Sequence, residues 1–152
     1  GMNMEVSTIK ELANHKNIVA VKEASGNISY AAKLIAECGD VIDVYSGNDD
    51  MIVPILSLGG KGVISVLSNV APKRTHDLCQ KWFDGDIAGS RKMQFEYLEL
   101  IKALFCEVNP IPVKTAMNMM GFNAGKLRLP LCEMAQATYE RLENAMKAAG
   151  LI

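Results

Sequence analysis

Over the first 66 residues the apolar positions fall in short runs, each closed by a polar or glycine-containing turn. Three of these runs are rich in Val and Ile: "IVAVKEA" at 18–24, "VIDVYS" at 41–46 and "GVISV" at 62–66. They predict buried strands. Between them the spacing changes to that of helices. "NISYAAKLIAEC" sets Ile28, Ala31, Ala32, Leu34 and Ile35 on one stripe, and Gly39 stops it. "DDMIVPILSLGG" offers Asp49 or Asp50 as a cap, holds Pro54 near its first turn where proline is tolerated, and ends at Gly59 and Gly60. The strand starts Ile18, Val41 and Gly62 are spaced by 23 and 21 residues. Crossovers of that length join parallel strands, so an α/β fold with a parallel sheet is expected.

A third helix is predicted from Pro72 to Gly85. Beyond it the pattern is helical throughout. Residues 86–105 predict one long helix with Met93, Tyr97, Leu100, Ile101 and Leu104 on a single face. "NPIPVKTAMNMMG" predicts a Pro-started short helix, and "CEMAQATYERLENAMKAAG" a last one closed by Gly150. The expected division is therefore strand–helix units over 1–85 and a helical extension over 86–152. The N-terminal residues 1–16 read as an amphipathic helix without the apolar centre of a signal peptide.

Charge and composition narrow the function. The formal net charge is −1, with acids and bases scattered, which leaves no footprint for nucleic acid and no polybasic membrane patch. No apolar run reaches the roughly 20 residues of a membrane span. Cys38, Cys79, Cys106 and Cys132 are widely spaced without C-x-x-C, and His15 and His76 lie far apart. Such spacing predicts no metal site and instead reduced, mostly buried thiols in a cytoplasmic protein. His15 fits a helix C-terminus and His76 a helix surface.

Chemistry in α/β folds gathers at the carboxyl ends of parallel strands. The polar residues converge there: Lys22 to Asn27 after the first strand, Ser46 to Asp49 after the second, Ser65 to Asn69 after the third. Strand alternation puts Ile18, Ala20, Lys22 and Ala24 on one face, and Val19, Val21 and Glu23 on the other. If the first face lines a closed barrel, Lys22 enters an apolar cavity apart from Glu23. Desolvation disfavours a charged ammonium, and a lysine amine held neutral attacks carbonyls to form Schiff bases. The same position also suits a lysine that snorkels into solvent. Other features carry less. "GGKG" at 59–62 precedes a strand, whereas a phosphate loop follows one. "SGNDD" at 46–50 lacks the alternating acids of a calcium loop, so capping accounts better for Asp49 and Asp50. The methionines at 117–120 read as core or interface filler.

"VAVKEASGN", "YSGNDD", "GGKGVISVLSN" and "NPIPVK", in this order and spacing, resemble the dihydrodipicolinate synthase family. That family belongs to the pyruvate-dependent class I aldolases, as does N-acetylneuraminate lyase, and "NPIPVK" favours the synthases. The resemblance implies a (β/α)8 barrel with a C-terminal helical extension. It also implies condensation of pyruvate with aspartate semialdehyde on the route to diaminopimelate and lysine. By this resemblance Lys22 forms the Schiff base, Gly47 lines the same cavity, and the backbone of Ile64 lies beside bound pyruvate. No cofactor beyond the covalent pyruvate adduct is implied, and the family's habit is a homo-oligomer.

A whole barrel of this kind takes about 250 residues and eight strands, against the three strands expected here. The resemblance thus implies a C-terminal fragment made of the last three βα units and the helical tail. The family's catalytic tyrosine, paired threonines and carboxylate-binding arginine match nothing in this sequence, and Tyr45 occupies a position the family does not use. Two functions follow as expectations. One is an aldolase piece acting through Lys22, with an N-acetylneuraminate lyase-like relative as the variant. The other is an assembly module that pairs with a complementary half or with itself.

Overall fold

The structure, a computed structural model, describes residues 2–152. It divides into two compact units, Gly1–Ser65 and Val66–Ile152. Three parallel strands form the sheet of the first unit: β1 (Ala20–Glu23), β2 (Asp43–Ser46) and β3 (Gly62–Val63), in the order β1-β2-β3. Ala20 stands opposite Asp43, and Lys22 opposite Tyr45, which in turn stands opposite Gly62. The parallel sheet read from the spacing of the apolar runs is therefore present.

The strands are shorter than the apolar runs. Ile18 donates its N–H to the His15 carbonyl (2.9 Å), so the first ladder bond appears only where Asp43 donates to the Val19 carbonyl (2.9 Å). At the other end Ile64 still donates to Ser46 (2.8 Å), but Val66 has turned to helical backbone, φ −80° and ψ −41°.

Helix α1 (Val6–Leu12) and helix α2 (Ile28–Cys38) supply most of this unit's core. Val6, Ile9, Leu34, Cys38, Ile42 and Val44 form one buried cluster, against which Val21 packs. Asn27 starts α2 by accepting the Ser29 and Tyr30 N–H groups at 3.0 and 3.1 Å, the side-chain capping that favours asparagine there. Helix α3 (Ile52–Ser57) follows a 3-10 turn over Asp49–Met51, with Pro54 in its first turn. Asp49 and Asp50 are the first two residues of that turn, Asp49 fully buried and Asp50 exposed, with Asn48 flanking it.

The second unit is all helical: α4 (Pro72–Phe83), α5 (Ile87–Glu96), α6 (Leu98–Leu104), α7 (Ile111–Met119) and α8 (Gln136–Ala148). Helix α4 begins at Pro72 as expected and is followed by Gly85 at φ +86°. Its packing is against α5, so the boundary between compact units lies ahead of it. The single long helix expected over 86–105 is two. Tyr97 leaves helical geometry (φ −97°, ψ 0°), and its ring is buried beneath the Arg74 guanidinium, 5.4 Å from the centroid. Arg74 also donates to the Tyr97 hydroxyl and to the Ala149 carbonyl (3.0 Å). The expected face survives the break: Tyr97, Leu100, Ile101 and Leu104 are all buried, with Leu142 and Met146 of α8 in the same core.

Helix α8 starts at Gln136, later than the apolar pattern suggests. Glu107 explains this start, for its carboxylate accepts the Ala135 N–H (3.0 Å) and the Thr138 hydroxyl, fixing the first turn from a distant loop. Among the described residues no disulfide joins the cysteines. Cys38 is buried, Cys79 and Cys106 are half-buried, and Cys132 is exposed, so one thiol departs from the buried expectation. Burial first, and then the Glu37 charge, pushes the Cys38 thiol up; burial does the same for Cys106.

Candidate active site

The alternation of β1 decides what faces where. Val21 and Glu23 point with Val44 and Ser46 toward the helices, and Glu23, Val44 and Ser46 are buried there. Ala20 and Lys22 share the opposite face with Asp43 and Tyr45. That second face is open. Ala20, Lys22 and Asp43 are exposed, Tyr45 is half-buried, and Ile64, two residues on from Gly62, is 49% exposed.

Lys22 sits at the carboxyl end of β1, and its side chain runs over the loop that leaves β2. A β-carbon placed on Gly47 would stand 2.9 Å from Lys22 Cε, 2.6 Å from Ala24 Cβ and 3.0 Å from the Glu23 carbonyl oxygen. No side chain fits there. The close approach is held by the backbone, since the Gly47 N–H donates to the Glu23 carbonyl at 2.6 Å. The next residue, Asn48, ties the two loops together. With its amide oxygen toward the Gly26 N–H and its nitrogen toward the Gly47 carbonyl, both contacts are 3.3 Å. Ser46 locks the same turn, donating through its hydroxyl to the Asn48 carbonyl (2.8 Å).

Glu23 is the buried acid of the site, 4% exposed, and its Oε1 accepts the Ser25 N–H at 2.7 Å. It therefore shapes the loop after β1 from below, on the face opposite Lys22. Tyr30 of α2 lies near it and donates its hydroxyl to the Met4 carbonyl (2.7 Å). Burial first and the Glu23 charge second hold the Tyr30 phenol above its ordinary range. A cavity of about 270 Å³ lies among Met4, Ile9, Glu23, Ser25, Tyr30 and Leu34. The larger hollow, about 630 Å³, belongs to the helical unit, between α7 and the 125–139 segment. Lys114, the lysine of "NPIPVK", lines it and donates to the Lys126 carbonyl at 2.8 Å. Its size does not make it the reactive site, because its lysine is committed to a carbonyl.

Of the three residues singled out from sequence, the structure brings Lys22 and Gly47 into contact. Ile64 directly follows β3, its N–H bonded to the Ser46 carbonyl one residue before Gly47. Sequence reasoning named two neighbours, Tyr45 and Glu23, without giving either a part in the site. Tyr45 is the register partner of Lys22 on the same face, which alternation alone could show once the strands were aligned. Glu23 with Ser25 was legible only as a charge next to Lys22, since a carboxylate gripping an N–H two residues on leaves no apolar signal. Among the described residues no three His, Cys, Asp or Glu side chains gather to hold a metal ion. No helix among them is long and apolar enough to cross a membrane.

A parallel sheet with a lysine laid against a glycine at the carboxyl ends of adjacent strands places this protein among α/β proteins whose site lies at the strand ends. More closely, the chain belongs to the dihydrodipicolinate synthetase family, whose model matches residues 1–149. It is 57% identical over its whole length to the 4-hydroxy-tetrahydrodipicolinate synthase of Clostridium perfringens, strain SM101, and covers 52% of that protein. It is 53% identical to that of Acetivibrio thermocellus, again over its whole length, and covers 51% of that protein. Among solved structures, the dihydrodipicolinate synthase of Thermotoga maritima matches with a TM-score of 0.93 at 42% identity, over 97% of this chain and 51% of that one. The chloride-inhibited synthase of Acinetobacter baumannii, solved with pyruvate, matches with a TM-score of 0.89 at 37% identity, over 97% of this chain and 50% of that one. The chain spans about half the length of the curated relatives it matches.

Proposed function

We propose that this chain carries the Schiff-base half of a dihydrodipicolinate synthase, a lyase of lysine and diaminopimelate biosynthesis acting in the cytoplasm. Its three βα units are part of a (β/α)8 barrel, and the helices after Gly85 form the C-terminal extension. The single observation that carries this reading is the seat of Lys22: carboxyl end of β1, side chain over Gly47, in a chain of this family.

The chemistry follows from the amine. Lys22 Nζ adds through its lone pair to the ketone carbon of pyruvate, and uptake of a proton with loss of water leaves a protonated imine. The imine withdraws electrons from the neighbouring methyl carbon, which gives up a proton to form an enamine. That carbon then bonds to the aldehyde carbon of aspartate 4-semialdehyde, whose oxygen takes a proton; the semialdehyde's own amine adds to the imine carbon and, passing on its proton, expels Lys22 as the free amine. The electron sink is the imine itself, so the reading calls for no resident cofactor. Gly47 lines the pyruvate cavity, and the Ile64 backbone lies beside the substrate. Other partners are the complementary half of the barrel and further copies in a homo-oligomer.

Incubation with pyruvate and borohydride, followed by intact-mass measurement, tests this reading. A mass gain of one reduced pyruvate-derived group per chain is expected. A chain that stays unmodified, alone and together with a complementary half, contradicts it and leaves an assembly module.

A further inference from the structure

We infer that Gly47 is a positioning residue for Lys22: the missing side chain at Gly47, together with the small Ala24, makes a channel that holds the lysine stem and aims its amine past the strand ends. The inference deepens the Schiff-base reading and rests on it for its catalytic consequence, but its geometric part stands alone.

The three contacts around Gly47 differ in kind. Ala24 Cβ at 2.6 Å and the Glu23 carbonyl at 3.0 Å belong to rigid strand and loop, whereas Lys22 Cε at 2.9 Å belongs to a flexible stem. Real β-carbons essentially never approach other heavy atoms below 3.0 Å. A methyl at position 47 must therefore displace the lysine stem, and its clash with Ala24 demands a small shift of the loop besides. Among the described residues Lys22 makes no hydrogen bond or ion pair, and its face of the sheet is open, so its stem is restrained by packing at position 47. The loop cannot retreat as easily. The Gly47 N–H is bonded to Glu23, Asn48 bridges to Gly26, and Ser46 closes the turn. Steric confinement against a pinned loop is thus what selects the direction of the amine, and displacement by about 1 Å is enough to cost a reaction heavily.

Competitive acetylation of the chain by trace acetic anhydride, read peptide by peptide, reports the reactivity of each lysine without any substrate. Lys33 and Lys10 serve as exposed internal references. In Gly47→Ala the Lys22-to-Lys33 labelling ratio is expected to change about threefold or more, with the Lys10-to-Lys33 ratio unmoved. A folded Gly47→Ala chain with an unchanged Lys22 ratio overturns the inference. If Gly47→Ala unfolds and all lysines change together, Ala24→Gly/Gly47→Ala removes the tightest rigid contact and is read the same way. An unchanged Lys22 ratio, or a second unfolded chain, overturns the inference too. Pyruvate trapping separates this from the reading above. Loss of the wild-type adduct defeats the Schiff base and leaves the labelling ratio to decide the positioning. A wild-type adduct that forms about tenfold more slowly in Gly47→Ala at saturating pyruvate supports both.

Discussion

Lys22 and Tyr45 stand opposite each other in the pairing of β1 with β2, on a face of the sheet that no element of their own unit covers. That face holds the exposed Ala20 and the half-exposed Ile64 as well. Each outer strand has only one neighbour, so β1 and β3 each present an unpaired edge. Unpaired edges beside an uncovered face invite another chain.

The first prediction concerns association. Leaving even ~500 Å² of apolar surface in water costs about 12 kcal/mol at 25 cal/mol per Å², comparable to a domain's whole net stability. The pure chain is therefore expected to sediment as a dimer or larger species at micromolar concentration, or to bind a complementary half when offered one. Sedimentation velocity as a cooperatively folded monomer would count against it.

A second prediction isolates the break between α5 and α6. Tyr97 is 6% exposed and its hydroxyl accepts from Arg74, which reaches on to Ala149. Tyr97→Phe keeps the buried ring and removes the acceptor. Hydrogen bonds to charged groups contribute modestly, and Arg74 is exposed, so a loss of about 1–2 kcal/mol in urea unfolding is expected. An unchanged midpoint would show that the ring alone holds the junction.

The pattern of apolar runs was enough for the order of elements and for Lys22 at a strand end, because both follow from burial repeating at a fixed period. It could not show where regular geometry stops. Tyr97 lies on the correct helical face, yet the turn breaks there because of a partner 23 positions away, Arg74. Asp49, expected at the start of a helix, is fully buried within a 3-10 turn that precedes α3, a detail of backbone path that residue type does not carry. The late start of α8 depends on Glu107, also remote in sequence. At the candidate site, Lys22 and Gly47 were legible through their family motifs. Their contact was not, since it depends on how closely two loops approach.

The third prediction is one of pH. Asp86 accepts from Lys81 at 2.7 Å and from the Gly89 N–H at 2.9 Å, starting α5. The Lys81 side chain first, and the Gly89 N–H second, hold its carboxyl below the ordinary carboxylate range. A carboxyl lowered by folding stabilises above its unfolded value, about 3.9 for Asp, and that contribution disappears as pH falls through the folded value. Urea midpoints of wild type and Asp86→Asn should therefore differ near neutral pH and converge in acid. A gap that stays constant down to the acid limit would contradict the assignment.

The most direct measurement of the central claim is peptide mapping after pyruvate and borohydride, on wild type, Lys22→Ala and Lys114→Ala, each combined with a complementary half. The seat of Lys22 against Gly47 and the engagement of Lys114 with the Lys126 carbonyl make opposite expectations for the two lysines. The account predicts the reduced pyruvate adduct on the peptide carrying Lys22, present in Lys114→Ala and absent in Lys22→Ala. An adduct that persists in Lys22→Ala and vanishes in Lys114→Ala would contradict it.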